Sequence, residues 1–236
     1  MNDKIILFDL DGTLLPMEQD YFLTSYLKLI GNEMAAHGYD PHELVSVIMQ
    51  GTEKMLQNDG NKTNEEVFWE YFVSVYGERA RLDQAKFHAF YIEKFPLLQK
   101  TCGYNELTPQ LISALKKQGY KLILATNPIF PRVATLERMR WAGLEESDFL
   151  LVTTYENSHY AKPNPLYYAE ILTKLNAHPS EVMMIGNDTT DDYGAVKQGI
   201  KTFFVTDDLI NKNGLDLKKF PHGSLRDLTA FLALKL

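Results

Sequence analysis

Two aspartates two residues apart, Asp9 and Asp11, close a short apolar run that begins at Lys4 and reads Ile5-Ile6-Leu7-Phe8. A Gly12-Thr13 turn follows them. The run predicts a strand buried on both faces, since a parallel strand covered by helices needs no polar alternation. Side chains two apart on a strand share a face, so the two carboxylates repel each other strongly once buried. Such a pair demands a cation or a shared proton. Magnesium, a hard cation that takes oxygen ligands, would supply the charge. An EF-hand loop is excluded by register: it needs D-x-[DN]-x-[DN]-G, and here Gly12 directly follows the second aspartate.

Three further segments sit where strands are expected to end, the place at which open α/β sheets bind ligands. Thr126-Asn127-Pro128 offers a hydroxyl and main-chain N–H groups that can hold a phosphate oxygen, although the same residues also make an ordinary turn. Lys162, in Ala161-Lys162-Pro163-Asn164-Pro165, is stiffened by two prolines and can offset a phosphate or paired carboxylates; a surface lysine in a turn fits as well. Asp188 and Asp192, in Asn187-Asp188-Thr189-Thr190-Asp191-Asp192, are spaced i, i+4 and lie near one face of a starting helical turn. Aspartates there also suit simple capping of the helix dipole. Their place right after an apolar run and Gly186 favours a second metal-ligating group.

The elements that must carry these residues alternate from about residue 104 onward. Thr108-Pro109 predicts the cap of a helix that Gly119 stops, followed by a strand at 121–125 and a helix at 131–142. A strand at 149–153, a helix at 165–176, a strand at 182–186, a helix at 190–198 and a strand at 201–205 come next. Ser224 caps a last helix over 225–234. The alternation predicts βαβ units around a parallel sheet. Between 17 and 98 apolar residues recur at helical spacing instead, as in Tyr21-Phe22-Tyr26-Leu27-Ile30 and Val67-Phe68-Tyr71-Phe72, and predict about four helices. Asn58-Asp59-Gly60-Asn61-Lys62 reads as a polar hinge between two helix pairs.

In order along the chain, D-x-D-G-T, Thr126, Lys162 and Asp188 with Asp192 resemble the four signatures of the haloacid dehalogenase-like (HAD) hydrolase superfamily. The insertion just after the first signature resembles the helical C1-cap subgroup, with its phosphoglycolate phosphatase-like and β-phosphoglucomutase-like members. The fold so implied is α/β, a Rossmann-like three-layer parallel-sheet core (1–16 and 99–236) with an inserted all-helical cap (17–98). A receiver domain also gathers Asp and Lys on a parallel sheet, but it has no acidic group after its Lys. The resemblance implies Asp9 as nucleophile and Asp11 as general acid–base, whose carbonyl also touches the metal. It implies Thr126 and Asn127 as phosphoryl binders, Lys162 as the neutralising cation, and Asp188, supported by Asp192, as metal ligand. The metal set is then Asp9, Asp11, Asp188 and Asp192, and the cofactor Mg²⁺. The family's dehalogenases lack an acid at the position of Asp11, so a phosphate ester rather than a halide is implied.

The activity so implied is a Mg²⁺-dependent phosphatase for a small phosphorylated metabolite, working through an aspartyl-phosphate. A phosphomutase using the same chemistry is the alternative, and a non-catalytic phospholigand-binding protein a second. Cap residues near Tyr21, Phe22 and Trp69 are candidates for selectivity. A net charge of -7 argues against a nucleic-acid surface. No apolar stretch approaches the roughly 20 residues of a membrane span, and no signal peptide is expected. Cys102 stands alone, so no internal disulfide forms; a reducing cytoplasm and a packing role follow. The histidines are scattered, which argues against zinc. His159 is expected to line its loop, and Asn211-Lys212-Asn213-Gly214 to be a plain turn. Nothing in the sequence sets the oligomeric state.

Overall fold

The computed structural model describes residues 5–234, so Lys4, the first residue of the apolar run, lies outside the described residues, as do the outermost residues of the expected core segments. Strands β1 (Ile5–Phe8), β2 (Lys121–Leu124), β3 (Leu151–Val152), β4 (Val182–Gly186), β5 (Lys201–Val205) and β6 (His222–Gly223) form one sheet in the order β3-β2-β1-β4-β5-β6. Every pairing is parallel, and Phe8 lies beside both Leu124 and Ile185. The three central strands therefore end level, and the residues that follow them meet at one edge.

Alternate strand residues enter two separate apolar layers. Ile6, Phe8, Leu122, Leu124, Met183 and Ile185 pack on one side with α5 (Leu107–Lys117), α6 (Arg132–Trp141) and α9 (Leu225–Phe231). Ile5, Leu7, Ile123, Val182 and Met184 pack on the other with α7 (Pro165–Leu175) and α8 (Tyr193–Lys197). The result is the expected three-layer α/β architecture.

Four helices lie between β1 and α5: α1 (Gln19–Ala35), α2 (Pro41–Leu56), α3 (Asn64–Tyr76) and α4 (Arg79–Glu93). Asp40 caps α2, and Thr63 with Glu66 makes a reciprocal capping box on α3. An aromatic seam joins this block to the sheet layer. Tyr26 meets Phe130 edge-on at 5.2 Å between centroids, and Phe95 stacks on Trp141 at 5.4 Å.

Several boundaries differ from the sequence expectation, each for a local reason. α5 begins at Leu107 with Glu106 at its N-cap; the Thr108 hydroxyl instead donates to the Leu14 carbonyl at 2.8 Å, tying α5 to the turn after β1. β3 has two residues; beyond it the Thr153 N–H still reaches the Leu124 carbonyl at 3.0 Å, and its hydroxyl donates to the Thr126 carbonyl at 2.7 Å. α8 starts at Tyr193, since the Asp188 carboxylate holds the N–H groups of Thr190 and Asp191 in a preceding turn. α9 ends at Phe231, followed by a left-handed Ala233 with φ 54°. β6 has too few residues to show any apolar period. Among the described residues, no helix is long and apolar enough to cross a membrane.

The segment 58–62 is a docked loop rather than a hinge. Asn58 is buried and its Nδ2 donates to the Asn64 Oδ1 at 2.9 Å. Tyr160 donates from its hydroxyl to the Asp59 carbonyl at 3.4 Å. Asn64 is fully buried; its N–H donates to the Ser158 carbonyl at 2.9 Å, and its Nδ2 faces the Pro128 and Tyr160 carbonyls at 3.1 and 3.3 Å. This one side chain pins the helical block to two loops of the core. Asn64→Ala leaves those acceptors unpaired and is expected to cost about 1–3 kcal/mol, read as a lowered urea midpoint at unchanged slope.

Candidate active site

Lys162 is 1% exposed, and its Nζ lies 2.8 Å from Asp9 Oδ1 and 2.8 Å from Asp192 Oδ1. Asp9 directly follows β1, and its N–H continues the ladder to the Ile185 carbonyl at 2.9 Å. Its other oxygen, Oδ2, meets the Thr13 hydroxyl at 3.3 Å; that hydroxyl is also 3.1 Å from Asn187 Oδ1 and its one proton serves one acceptor at a time. Gly12 turns the chain with φ 79°, and a Cβ there would fall 2.1 Å from the Asn187 amide nitrogen. The glycine thus answers both a left-handed turn and a close approach.

The remaining expected residues converge on the same cleft. Asp192 is wholly buried, and its Oδ2 accepts the Asp188 N–H at 3.1 Å. Gly186 makes room for it, since a Cβ there would lie 2.0 Å from Asp192 Oδ2. Asn127 holds the main chain of Lys162 from both ends: its Oδ1 accepts the Lys162 N–H at 3.2 Å and its Nδ2 faces the Lys162 carbonyl at 3.4 Å. The Thr126 carbonyl is taken by Thr153 and by the Tyr167 hydroxyl at 2.9 Å. Asp9, Asp11, Thr126, Asn127, Lys162, Asp188 and Asp192 all line one cleft of about 290 Å³, with Gln19, Asn187 and Asp191 completing the wall.

The electrostatics of this cleft are lopsided. Burial pushes the Asp9 carboxyl well above the usual carboxylate range, and Asp192 and Asp11 add to it against the opposing pull of Lys162. Burial likewise raises Asp191 to about 6, helped by Asp192 and Asp188. Burial disfavours the Lys162 ammonium, but Asp192 and Asp9 outweigh it and hold the lysine charged far into the alkaline range. Five aspartates share the cleft with one lysine, so negative charge is in excess.

That excess fits a bound cation. Among the described residues, no three His, Cys, Asp or Glu side chains gather tightly enough to cage a metal by themselves. This suits magnesium, which is usually held by one or two carboxylates together with water and substrate phosphate. Asp9 and Asp188, two of the expected ligands, line the same cleft. Asp192 gives its oxygens to Lys162 and to the Asp188 N–H, and so supports the ligand rather than offering a free oxygen.

Sequence reasoning did not single out Thr13, Asn187, Asp191 or Arg138 as site residues. Asn187 and Asp191 lie inside a motif already noted, so adjacency was the signal. Arg138, which pairs with Asp11 from the middle of α6, has none in the sequence. His159 does line its loop, bonded through Nδ1 to Glu170 at 2.8 Å. Asn211 closes a turn on Leu215 and accepts from the Thr189 hydroxyl at 2.9 Å. Cys102 is half-buried, and burial raises its thiol to about 11, in keeping with packing.

A second cavity, about 740 Å³ and open to solvent, lies between the helical block and the core. Trp69, Phe68, Tyr26 and Phe130 wall it, and no carboxylate or lysine does. Of the residues expected to set selectivity, Trp69 therefore faces a cavity, Phe22 is in the aromatic seam, and Tyr21 is exposed.

Removing the central cation tests whether the carboxylates depend on it. Lys162→Met leaves Asp9 and Asp192 buried without a counter-charge and is expected to cost about 3–5 kcal/mol in denaturant unfolding. Adding Asp192→Asn to that variant should restore part of the loss. An unchanged stability in Lys162→Met would mean that water screens the pair.

Comparison with known proteins agrees with this geometry. The model of the haloacid dehalogenase-like hydrolase family matches residues 4–207. A phosphoglycolate phosphatase of Aquifex aeolicus is 26% identical over 200 residues, spanning 84% of this chain and 83% of that protein. The pyrophosphatase PpaX of Bacillus cereus is 26% identical over 207 residues, 87% of this chain and 84% of its own. Among solved structures, the HAD-hydrolase YfnB of Bacillus subtilis bound to magnesium aligns with a TM-score of 0.57 at 19% identity, covering 98% of each chain. With the four signature segments at one sheet edge and the family match running over most of its length, the chain belongs to the haloacid dehalogenase-like hydrolases.

Proposed function

We propose that this hydrolase is a Mg²⁺-dependent phosphatase that cleaves a small phosphorylated metabolite through an aspartyl-phosphate on Asp9. The observation that carries the reading is Lys162 bridging Asp9 and Asp192 at the floor of a cleft lined by Thr126 and Asn127. Phosphoryl transfer asks mainly for in-line positioning and charge neutralisation, and these residues supply both. Relatives named as a phosphatase and a pyrophosphatase support the same class.

In this reading Asp9 Oδ2 attacks phosphorus, because Oδ1 is engaged by Lys162 while Oδ2 meets only the shared Thr13 hydroxyl. The bond to the leaving oxygen breaks, and Asp11 gives that oxygen a proton. Asp11 then takes a proton from the water that attacks the aspartyl-phosphate, which releases phosphate and restores Asp9. Thr126 and the Asn127 main chain bind the phosphoryl oxygens, and Lys162 balances their charge. Asp9, Asp188 and the Asp11 carbonyl would hold Mg²⁺, which would supply further neutralisation of the phosphoryl group. Residues 17–98 act as the cap that covers the cleft and excludes bulk water. The lone Cys102 suits a reducing cytoplasm.

The test is phosphate release from 4-nitrophenyl phosphate with Mg²⁺ or with EDTA, in the wild type and Asp9→Asn. Turnover is expected with Mg²⁺ alone and should fall by about 10⁴-fold or more in Asp9→Asn. Release that survives EDTA or the loss of Asp9 would sink the proposal.

A further inference from the structure

Arg138 heads the fully buried side chains by volume, at 2% exposed, and it sits in α6 away from every signature segment. Its Nη1 donates to Asp11 Oδ2. Nη2 is 3.4 Å from the Thr135 hydroxyl, and Nε is 3.5 Å from the Ala134 carbonyl. The guanidinium lies over the Phe130 ring at 4.6 Å from its centroid. Asp11 is its one carboxylate partner among the described residues. Burying a guanidinium is costly unless its charge is matched and its donors are bonded, so this pair is specific in both directions.

The consequence falls on the two oxygens of Asp11. Oδ2 is bound by Arg138, whereas Oδ1 is buried and has no partner among the described residues. No other aspartate of the cleft has a buried oxygen left in this way. We infer that Arg138 is a positioning residue for the acid–base group: by anchoring Oδ2 it fixes the carboxyl plane and leaves Oδ1 as the one unbonded oxygen that can carry the proton. The inference rests on the phosphatase reading above. Oδ1–H passes its proton to the leaving oxygen as the P–O bond to the alcohol breaks and the Asp9 O–P bond forms. Oδ1 regains a proton from water as the new O–P bond forms and the Asp9 O–P bond breaks. Arg138 keeps all its protons throughout.

Arginine suits this task better than lysine. Its planar fork fixes orientation where an ammonium would act only as a point charge, and its flat face rests on Phe130. Phe130 is itself held at 5.2 Å by Tyr26 of α1 and at 6.3 Å by Phe22. The ring on which the guanidinium rests is therefore itself packed against the helical block.

The experiment separates positioning from mere structural support through the leaving group. A 4-nitrophenolate needs no proton to depart, whereas the alkoxide of glycerol phosphate does. In Arg138→Met and Arg138→Lys, kcat/KM should fall at least about tenfold more for glycerol phosphate than for 4-nitrophenyl phosphate, within the range that general acids contribute. In an Asp11→Asn background, Arg138→Met should leave that ratio where Asp11→Asn alone puts it. Equal losses on both esters in folded variants would overturn the inference, as would full recovery in Arg138→Lys. If the Arg138 variants do not fold, Phe130→Leu removes the stacking ring while keeping the ion pair. It should shift the ratio in the same direction, and an unchanged ratio would overturn the inference. A wild type inactive on both esters, or an Asp11→Asn with an unchanged ratio, would fail the phosphatase reading itself; an Arg138 failure with Asp11 dependence intact would not.

Discussion

The ion triad of Asp9, Lys162 and Asp192 is the constraint on which the rest of the structure depends. Asp9 directly follows β1 and Asp192 sits at the N-cap of α8, and neither carboxylate is tolerable when buried alone. A single ammonium 2.8 Å from each makes both possible. That requirement reaches backward into the fold. The level ends of β1 and β4 set the spacing, Gly186 leaves space for Asp192, and Asn127 grips the Lys162 main chain. The neighbouring Tyr168 hydroxyl is 3.3 Å from Asp192 Oδ1 and shields the triad from the α7 side. A sheet in another register would bring these groups together no better than chance.

The triad neutralises only part of the cleft's charge. Asp11 is matched by Arg138, but Asp188 and Asp191 remain, and the bonds that orient them come from neutral donors. Under the proposed reading, a cation and a phosphoryl group entering together would offset that negative excess. Binding and chemistry therefore draw on the same imbalance. Ordered donors that need no reorganisation at the moment of reaction are the usual source of large electrostatic stabilisation.

How much of this was legible in the sequence depends on how local each interaction is. The strands leading into Asp9, Thr126 and Asp188 read as apolar runs, whereas Lys162, expected at a strand end, lies well past the end of β3 in the loop just before α7. Elements set by tertiary contacts did not read out. Thr108 looked like a helix cap because Thr-Pro usually is one, but the Leu14 carbonyl from 94 residues away claims its hydroxyl. The segment 58–62 looked like a solvated hinge by composition; Asn58 and Asn64 turn the same polar atoms inward against Pro128 and Tyr160. Arg138 was silent because a lone arginine in an amphipathic helix is normally a surface residue, and only the fold delivers it to Asp11.

The two cavities divide the work by chemistry. The cleft of about 290 Å³ is lined by charge and has little room beyond a phosphoryl group, whereas the cavity of about 740 Å³ is lined by aromatic and aliphatic side chains. They share no wall residue, and Phe130 lines only the apolar cavity. One neighbour of that ring is Arg138, which holds Asp11; another is Tyr26 in the wall of the apolar cavity. A change in the packing of α1 against Phe130 must therefore alter the support beneath the guanidinium, since close-packed interiors transmit displacement rather than absorb it. The helical block thus bears on Asp11 through one ring and one buried ion pair, while among the described residues none of its own touches Asp11 through a hydrogen bond or ion pair.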